Sequence, residues 1–204
     1  MITLSEKTTQ RFIDLCVSQS DTYQAFVDEK LFDLEHVNGN MFWAGGAHRL
    51  YFDHQKVSDI DLFFRHNLAA KAVEVELEGR EYKTIFKCPE GKLTTMAKKG
   101  IKVQLITEFF YSSTEELIDS FDITACRYSY DGKRMSLFYS AARDAAHRKI
   151  RLNIVTHPSA TMKRIAKYVE KGYKLDNQAV DHFIQYIYDS GAEGRPLDRR
   201  FYID

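Results

Sequence analysis

The chain has 204 residues, 44% of them apolar, with only three prolines and 29 basic side chains balancing 29 acidic ones. This composition excludes a disordered or low-complexity polypeptide, and the length is enough for one sizeable core. No apolar run approaches the roughly 20 residues that cross a bilayer, so no membrane partner is expected.

In chain order the pattern is α+β. The first residues open a helix rather than a leader segment, and Ser5 caps it, with Phe12, Leu15 and Cys16 on its apolar side. A second helix spans residues 23–34 and stops before Asn38-Gly39-Asn40, a turn signal. An apolar strand then runs through Phe42-Trp43-Ala44 into Gly45-Gly46. A short helix and a second apolar strand containing Asp59-Ile60-Asp61-Leu62 follow. Asn67 is placed to cap a helix over residues 68–77. Residues 82–88 and 93–98 form a hairpin around Pro89-Glu90-Gly91, and residues 101–107 alternate as a strand after Gly100. A short helix at residues 114–118 leads to Asp122 and a strand over residues 123–130. Asp131-Gly132 is a two-residue hairpin turn returning through residues 135–139. Beyond residue 140 the chain reads as helical apart from residues 153–157. Ser159 caps one helix just after Pro158, Gly172 terminates it, and Met162, Ile165, Ala166 and Val169 form its packed stripe. A last helix, capped by Asp176, packs through Val180, Phe183, Ile184 and Ile187, and a basic-aromatic tail occupies residues 195–204. Residues 1–140 make a head and residues 141–204 a helical extension. Cys16, Cys88 and Cys126 are odd in number and lack zinc spacing, so a reducing cytoplasm is the expected compartment.

Charge is segregated despite the zero net. Residues 107–122 hold five acidic groups and no Lys or Arg, whereas residues 143–174 hold nine basic groups against Asp144 and Glu170. Residues 80–102 hold seven basic groups against Glu81 and Glu90. Basic segments of this kind either track a phosphate backbone or are ordinary solvated faces.

The chemistry concentrates between residues 45 and 61. Strand side chains alternate faces, so Asp59 and Asp61 point the same way while Ile60 and Leu62 bury the other side. Two like charges held together repel unless a cation lies between them, which makes the pair a divalent-metal site, Mg²⁺ or Mn²⁺. A glycine pair at a strand-to-helix turn lets backbone N–H groups approach a phosphate.

Gly45-Gly46, twelve intervening residues, and the apolar-Asp-x-Asp-apolar strand resemble the nucleotidyltransferase superfamily of DNA polymerase β. Met162-Lys163-Arg164-Ile165-Ala166-Lys167 through Gly172-Tyr173 resembles the helix after the head in tRNA CCA-adding enzymes and poly(A) polymerases. The resemblance implies a mixed sheet flanked by helices. It also implies transfer of a nucleoside monophosphate from an NTP such as ATP to an acceptor hydroxyl, with release of pyrophosphate. RNA is the favoured acceptor, a tRNA 3′ end in particular. Asp59 and Asp61 would ligate two ions roughly 3.5–4 Å apart. Gly45 and Gly46 would hold phosphates, with His48, Arg49 or Ser58 as further donors and Lys163 and Lys167 on the following helix. His48 reads equally as a surface helix residue. The superfamily's third carboxylate has no match, because Gln104 stands in its place, and an amide binds Mg²⁺ weakly. Asp122 either substitutes for it or caps a helix–strand junction. Three functions remain: an active transferase acting on RNA, a protein or a small molecule; a degenerate domain that binds nucleotide or RNA; and an interaction protein with an incidental Asp pair.

Overall fold

A computed structural model of the chain describes residues 1–35 and 37–192. The tail expected at residues 195–204 lies outside the described residues. The strands are β1 (Ile2–Thr3), β2 (Met41–Ala44), β3 (Ile60–Phe64), β4 (Lys83–Lys87), β5 (Leu93–Lys98), β6 (Ile101–Ile106), β7 (Tyr128–Tyr130) and β8 (Met135–Leu137), joined in the order β1-β8-β7-β2-β3-β6-β5-β4. The β3–β6 pair is parallel and every other pair in this sheet is antiparallel. A separate parallel pair joins β9 (Lys149–Ile150) to β10 (Lys174–Leu175). The helices are α1 (Glu6–Val17), α2 (Asp21–Asp28), α3 (Leu50–Asp53), α4 (Asn67–Gly79), α5 (Thr114–Asp119), α6 (Tyr139–Ala146), α7 (Pro158–Glu170) and α8 (Asn177–Ala192). The protein therefore has the α+β fold of a polymerase β-like head, a mixed sheet flanked by helices, with a largely helical C-terminal part.

Alternation along the strands divides the interior in two. Met41, Trp43, Ile60, Leu62, Phe64, Val103 and Leu105 face one side and pack against α1, α2 and α4. Phe42, Ala44 and Phe63 face the other and meet Leu117 and Ile118 of α5. Burying each such side chain stabilises by roughly 1.5–3 kcal/mol. A third cluster, with Ile123, Ile150, Ile165, Tyr168, Tyr173 and Ala179, seats the C-terminal helices, and Phe52 links it to the first.

Several expectations change in three dimensions. Ser5 does cap α1, but Ile2 and Thr3 pair with β8 instead of opening the helix, and Leu15 is exposed. The second helix breaks at Lys30, whose positive φ separates α2 from a single 3-10 turn at Leu31–Asp33. His66, not Asn67, caps α4. The strand expected over residues 123–130 shrinks to β7 after a 3-10 turn at Thr124–Cys126. Tyr130 pairs with Met135, so the hairpin loop has four residues rather than two. Beyond residue 140 the chain contains β9 and β10, so residues 153–157 are not its sole departure from helix. In α7 the buried stripe is Thr161, Ile165 and Tyr168, one position round from that expected, while Met162, Ala166 and Val169 are exposed. The cause is polar: the Thr161 and Tyr168 hydroxyls find the Asp122 carboxylate and the Cys126 thiol in the head, which counting apolar residues cannot detect. In α8, likewise, Ala179, Phe183 and Tyr186 face inward, and Val180, Ile184 and Ile187 are exposed. Among the described residues no helix is long and apolar enough to cross a membrane.

Candidate active site

The site forms where β2 ends in the Gly45-Gly46 turn beside β3. Ala44 pairs with Asp61, so the turn and the carboxylate are adjacent by register. Gly45 adopts φ 87° and ψ −151°, a conformation essentially confined to glycine, and a Cβ there would lie 3.1 Å from Asp61 Oδ2. Its N–H donates to the Tyr128 carbonyl at 3.0 Å. Gly45 thus contributes close approach rather than an N–H for phosphate. At Gly46 a Cβ would meet the Tyr168 hydroxyl at 3.2 Å and Arg49 Nε at 3.6 Å.

Asp61 lies on β3 and Asp59 is the residue just before that strand. Burial and the neighbouring Asp59 push the Asp61 carboxyl up to about 7, against the pull of Lys167, Arg164 and Lys171. Those three cations come from α7 and the residue after it, spaced i, i+3, i+7. Lys167 Nζ lies 3.8 Å from Asp59 Oδ2, and the two side chains are 54% and 29% exposed, so this pair is loose and screened. The Lys171 ammonium is pushed down by burial and by Arg49 and Lys167. Ser58 Oγ donates to Asp59 Oδ1 at 2.9 Å, orienting that carboxylate. Lys163 sits on the exposed side of α7.

The other expected site residues have different surroundings. His48 is fully buried; its Nδ1 lies 3.0 Å from the Tyr23 hydroxyl and its Nε2 3.0 Å from the Trp43 carbonyl. Burial pulls its pKa down to about 4, so it is a neutral core group and neither a phosphate donor nor a surface residue. The Arg49 guanidinium is paired with Asp53, both almost inaccessible, and packs over the Tyr168 ring. Asp53 also accepts from the Tyr173 hydroxyl at 2.6 Å. Only Arg49 Nε, buried and without a partner, remains directed toward Gly46. Asp122 is not beside the Asp pair. Its Oδ1 accepts from the Ile123 N–H at 2.8 Å, and its Oδ2 accepts from Thr161 Oγ1 at 2.7 Å and pairs with Arg164. It anchors α7 to the head. Among the described residues no group of three or more His, Cys, Asp or Glu is placed to hold a metal ion.

Gln104, by contrast, stands directly beside Asp61 in the parallel β3–β6 pair. Sequence reasoning missed Tyr168, whose hydroxyl lies 2.7 Å from Cys126 Sγ at the floor of the turn, and gave Arg164 and Lys171 no separate role. The i, i+3, i+4, i+7 run from Thr161 through Arg164 and Ile165 to Tyr168 was the available signal.

Comparison with known structures agrees with this fold. A CCA-adding enzyme in complex with ATP superposes with a TM-score of 0.66 at 17% identity, over 95% of this chain and 48% of that one. The Thermotoga maritima CCA-adding enzyme complexed with tRNA gives 0.65 at 17% identity, over 96% and 48%. A tRNA nucleotidyltransferase with a primer tRNA and an incoming ATP analogue gives 0.52 at 20%, over 77% and 49%. At these identities the likeness concerns the fold. The chain spans about half the length of these enzymes. A curated relative, "Gabija anti-defense 2" of Bacillus phage SPbetaL7, is 29% identical over 136 residues, 65% of this chain and 33% of the relative. The chain thus spans about a third of that protein. The profile of the Gabija anti-defense 2 family matches residues 15–167. The chain belongs to the Gabija anti-defense 2 family.

Proposed function

We propose that the protein is a metal-dependent nucleotidyltransferase that moves a nucleoside monophosphate from an NTP to an acceptor hydroxyl. The acceptor oxygen bonds to the α-phosphorus, the bond to the α–β bridging oxygen breaks, pyrophosphate leaves, and the hydroxyl proton passes to solvent. One observation carries the reading: Asp61 on β3 and Asp59 just before it lie together at the Gly45-Gly46 turn, beside Arg164, Lys167 and Lys171. The donor set fits Mg²⁺ or Mn²⁺, since two hard carboxylates are held together although Asp59 raises the Asp61 pKa. A bound divalent ion would offset that repulsion and neutralise charge on the phosphates. Ser58 orients Asp59, Gly45 admits the carboxylate to the turn, and Gly46 leaves open the space beneath Arg49 Nε. Lys167 can release Asp59 for a phosphate at little cost, because the pair is long and half-exposed. Lys163, farther round α7, suits an outer phosphate or acceptor contact.

RNA is the first acceptor in this reading, supported by the basic α7 and by solved CCA-adding enzymes of the same fold in complex with ATP, CTP and tRNA. The division into a head at residues 1–140 and a helical extension at residues 141–204 belongs to the same proposal, as does a cytoplasmic site of action. The family name further suggests that the transfer counters a defence system called Gabija. The test combines purified protein, each α-labelled NTP, Mg²⁺ or Mn²⁺, and total RNA and protein. Label should reach an acceptor with the parent and not with Asp59→Asn or Asp61→Asn. Labelling that persists in both variants would sink the assignment. The second reading, binding without turnover, rests on Gln104 beside Asp61. It predicts Mg²⁺-dependent NTP binding with no labelled product.

A further inference from the structure

We propose that the open half of the sheet beside Asp61 is the subsite for the 3′ end of an RNA acceptor, with Gln104 and Thr95 as its floor and Lys83 and Lys102 as its phosphate contacts. This rests on the transferase reading above.

The strand register lays the site out. Asp61 pairs with Gln104, Gln104 with Thr95, and Thr95 with Phe86, so these four side chains form one row on one face of the sheet. With neighbouring strands about 4.8 Å apart, the row runs roughly 14 Å outward from Asp61. The next row is Lys102, Ala97 and Lys83. Val103 pairs with Ile60, so Lys102 stands level with Asp59. Both carboxylates are thereby continued outward by a polar row. On this face α5 covers Phe42, Ala44 and Phe63 of β2 and β3. Beyond β3, Gln104, Ala97 and Phe86 are half-buried, Thr95 between them is buried at 8% exposure, and Lys83 and Lys102 are exposed.

The polar groups here are unspent. Among the described residues, the Gln104 amide and the Thr95 hydroxyl have no hydrogen-bond partner, and Lys83 and Lys102 have no ion pair. The neighbouring lysines differ: Lys87 pairs with Glu74, Lys92 with Glu90 and Glu108, and Lys98 with Glu29. Arg80, Lys87, Lys92 and Lys98 of the basic segment at residues 80–102 are thus paired, and Lys83 and Lys102, two of its three lysines without an ion pair among the described residues, lie in the row next to Gln104 and Thr95.

An amide that both donates and accepts, beside a hydroxyl, matches a ribose diol. Two ammonium groups one row away match the backbone phosphates, and the Phe86 ring offers a surface for a base. No residue of the two rows beyond the Asp pair is acidic. An acidic peptide would satisfy the lysines and leave Gln104 and Thr95 without a diol. On this account Gln104 is an acceptor contact that replaces a metal ligand, and its presence does not mark a retired site.

The experiment uses the full chain and a ten-nucleotide RNA ending in 4-thiouridine. Photocrosslinks are mapped by mass spectrometry, and affinity is read by fluorescence anisotropy across a salt series. Lys83→Glu/Lys102→Glu, both exposed, should weaken RNA binding at least tenfold and flatten the salt slope by about 1.4, the release expected for two single-strand phosphates. Crosslinks should fall on Phe86 or on residues 93–104. Gln104→Ala should narrow the preference for RNA over the matching DNA. Unchanged RNA affinity in the double variant, crosslinks elsewhere, no RNA binding by the parent, or tighter binding of a poly-glutamate peptide would each overturn the proposal. The Mg²⁺-dependent thermal shift with NTP is measured in parallel. If it is present while the RNA arm fails, only the subsite is lost; if it is absent from the parent, the transferase reading fails too.

Discussion

Asp61→Asn should make the metal-free protein more stable at alkaline pH while abolishing transfer. The Asp61 carboxyl is pushed up to about 7 by burial and by Asp59, whereas in the unfolded chain it titrates near 3.9. A raised folded-state pKa means that the folded protein binds the proton more tightly. The associated stability is full below about pH 4 and is lost as pH rises through 7. Three pH units correspond to a ceiling of about 4 kcal/mol. Because the Asp61 side chain is partly exposed, screening reduces a realistic expectation to about 2 kcal/mol. For a chain of this length that is about 4–8 °C in Tm. Differential scanning fluorimetry at pH 8 and pH 5, with EDTA or Mg²⁺, reads the effect. The variant should melt above the parent at pH 8 in EDTA and nearly with it at pH 5. Mg²⁺ should raise the parent's Tm more at pH 8 than at pH 5 and leave the variant almost unmoved. A variant that melts below the parent at pH 8 would refute the reasoning, because it would mean that the ionised carboxylate is already satisfied within the fold.

Gly45→Ala places an L-residue at φ 87°, ψ −151° and a Cβ 3.1 Å from Asp61 Oδ2. It should cost about 1–3 kcal/mol and shrink the NTP–Mg²⁺ thermal shift; an unaltered shift would argue against close packing at the turn. Asp53→Ala leaves the Arg49 guanidinium buried and unpaired and removes the Tyr173 bond. Urea unfolding should show a loss of about 3–5 kcal/mol, with Arg49→Met/Asp53→Leu less damaged than the single change. Arg164→Ala strips Asp122 of its ion pair and α7 of an anchor. We expect a loss of about 1–3 kcal/mol together with weaker NTP binding, and a purely thermodynamic effect would remove Arg164 from the site.

The carboxylate pair was legible in the sequence because its physics is local. Period-two alternation puts Asp59 and Asp61 on one face whatever the rest of the chain does, and the glycine pair marks a turn that a side chain would obstruct. Helix caps at Ser5, the hairpin around Pro89-Glu90-Gly91 and the Gly172 terminator were legible for the same reason: each is decided by a few neighbouring residues. The surroundings of His48, Arg49 and Asp122 were not legible, because a polar residue near a motif is equally suited to the core, and only its partners decide. Those partners, Tyr23, Asp53 and the Thr161–Arg164 pair, lie 25, 4 and about 40 residues away. The stripe of α7 was rotated by one position because its Thr161 and Tyr168 hydroxyls bond to the head, outweighing a neighbouring apolar stripe. Local pattern, then, determined that two carboxylates would meet at a glycine turn in an α+β head. Sheet order and register alone decided that Gln104 stands beside Asp61, that Asp122 does not, and that the cations of α7 face the pair. These are contacts between segments distant in sequence, settled by the joint packing of the sheet and its helices.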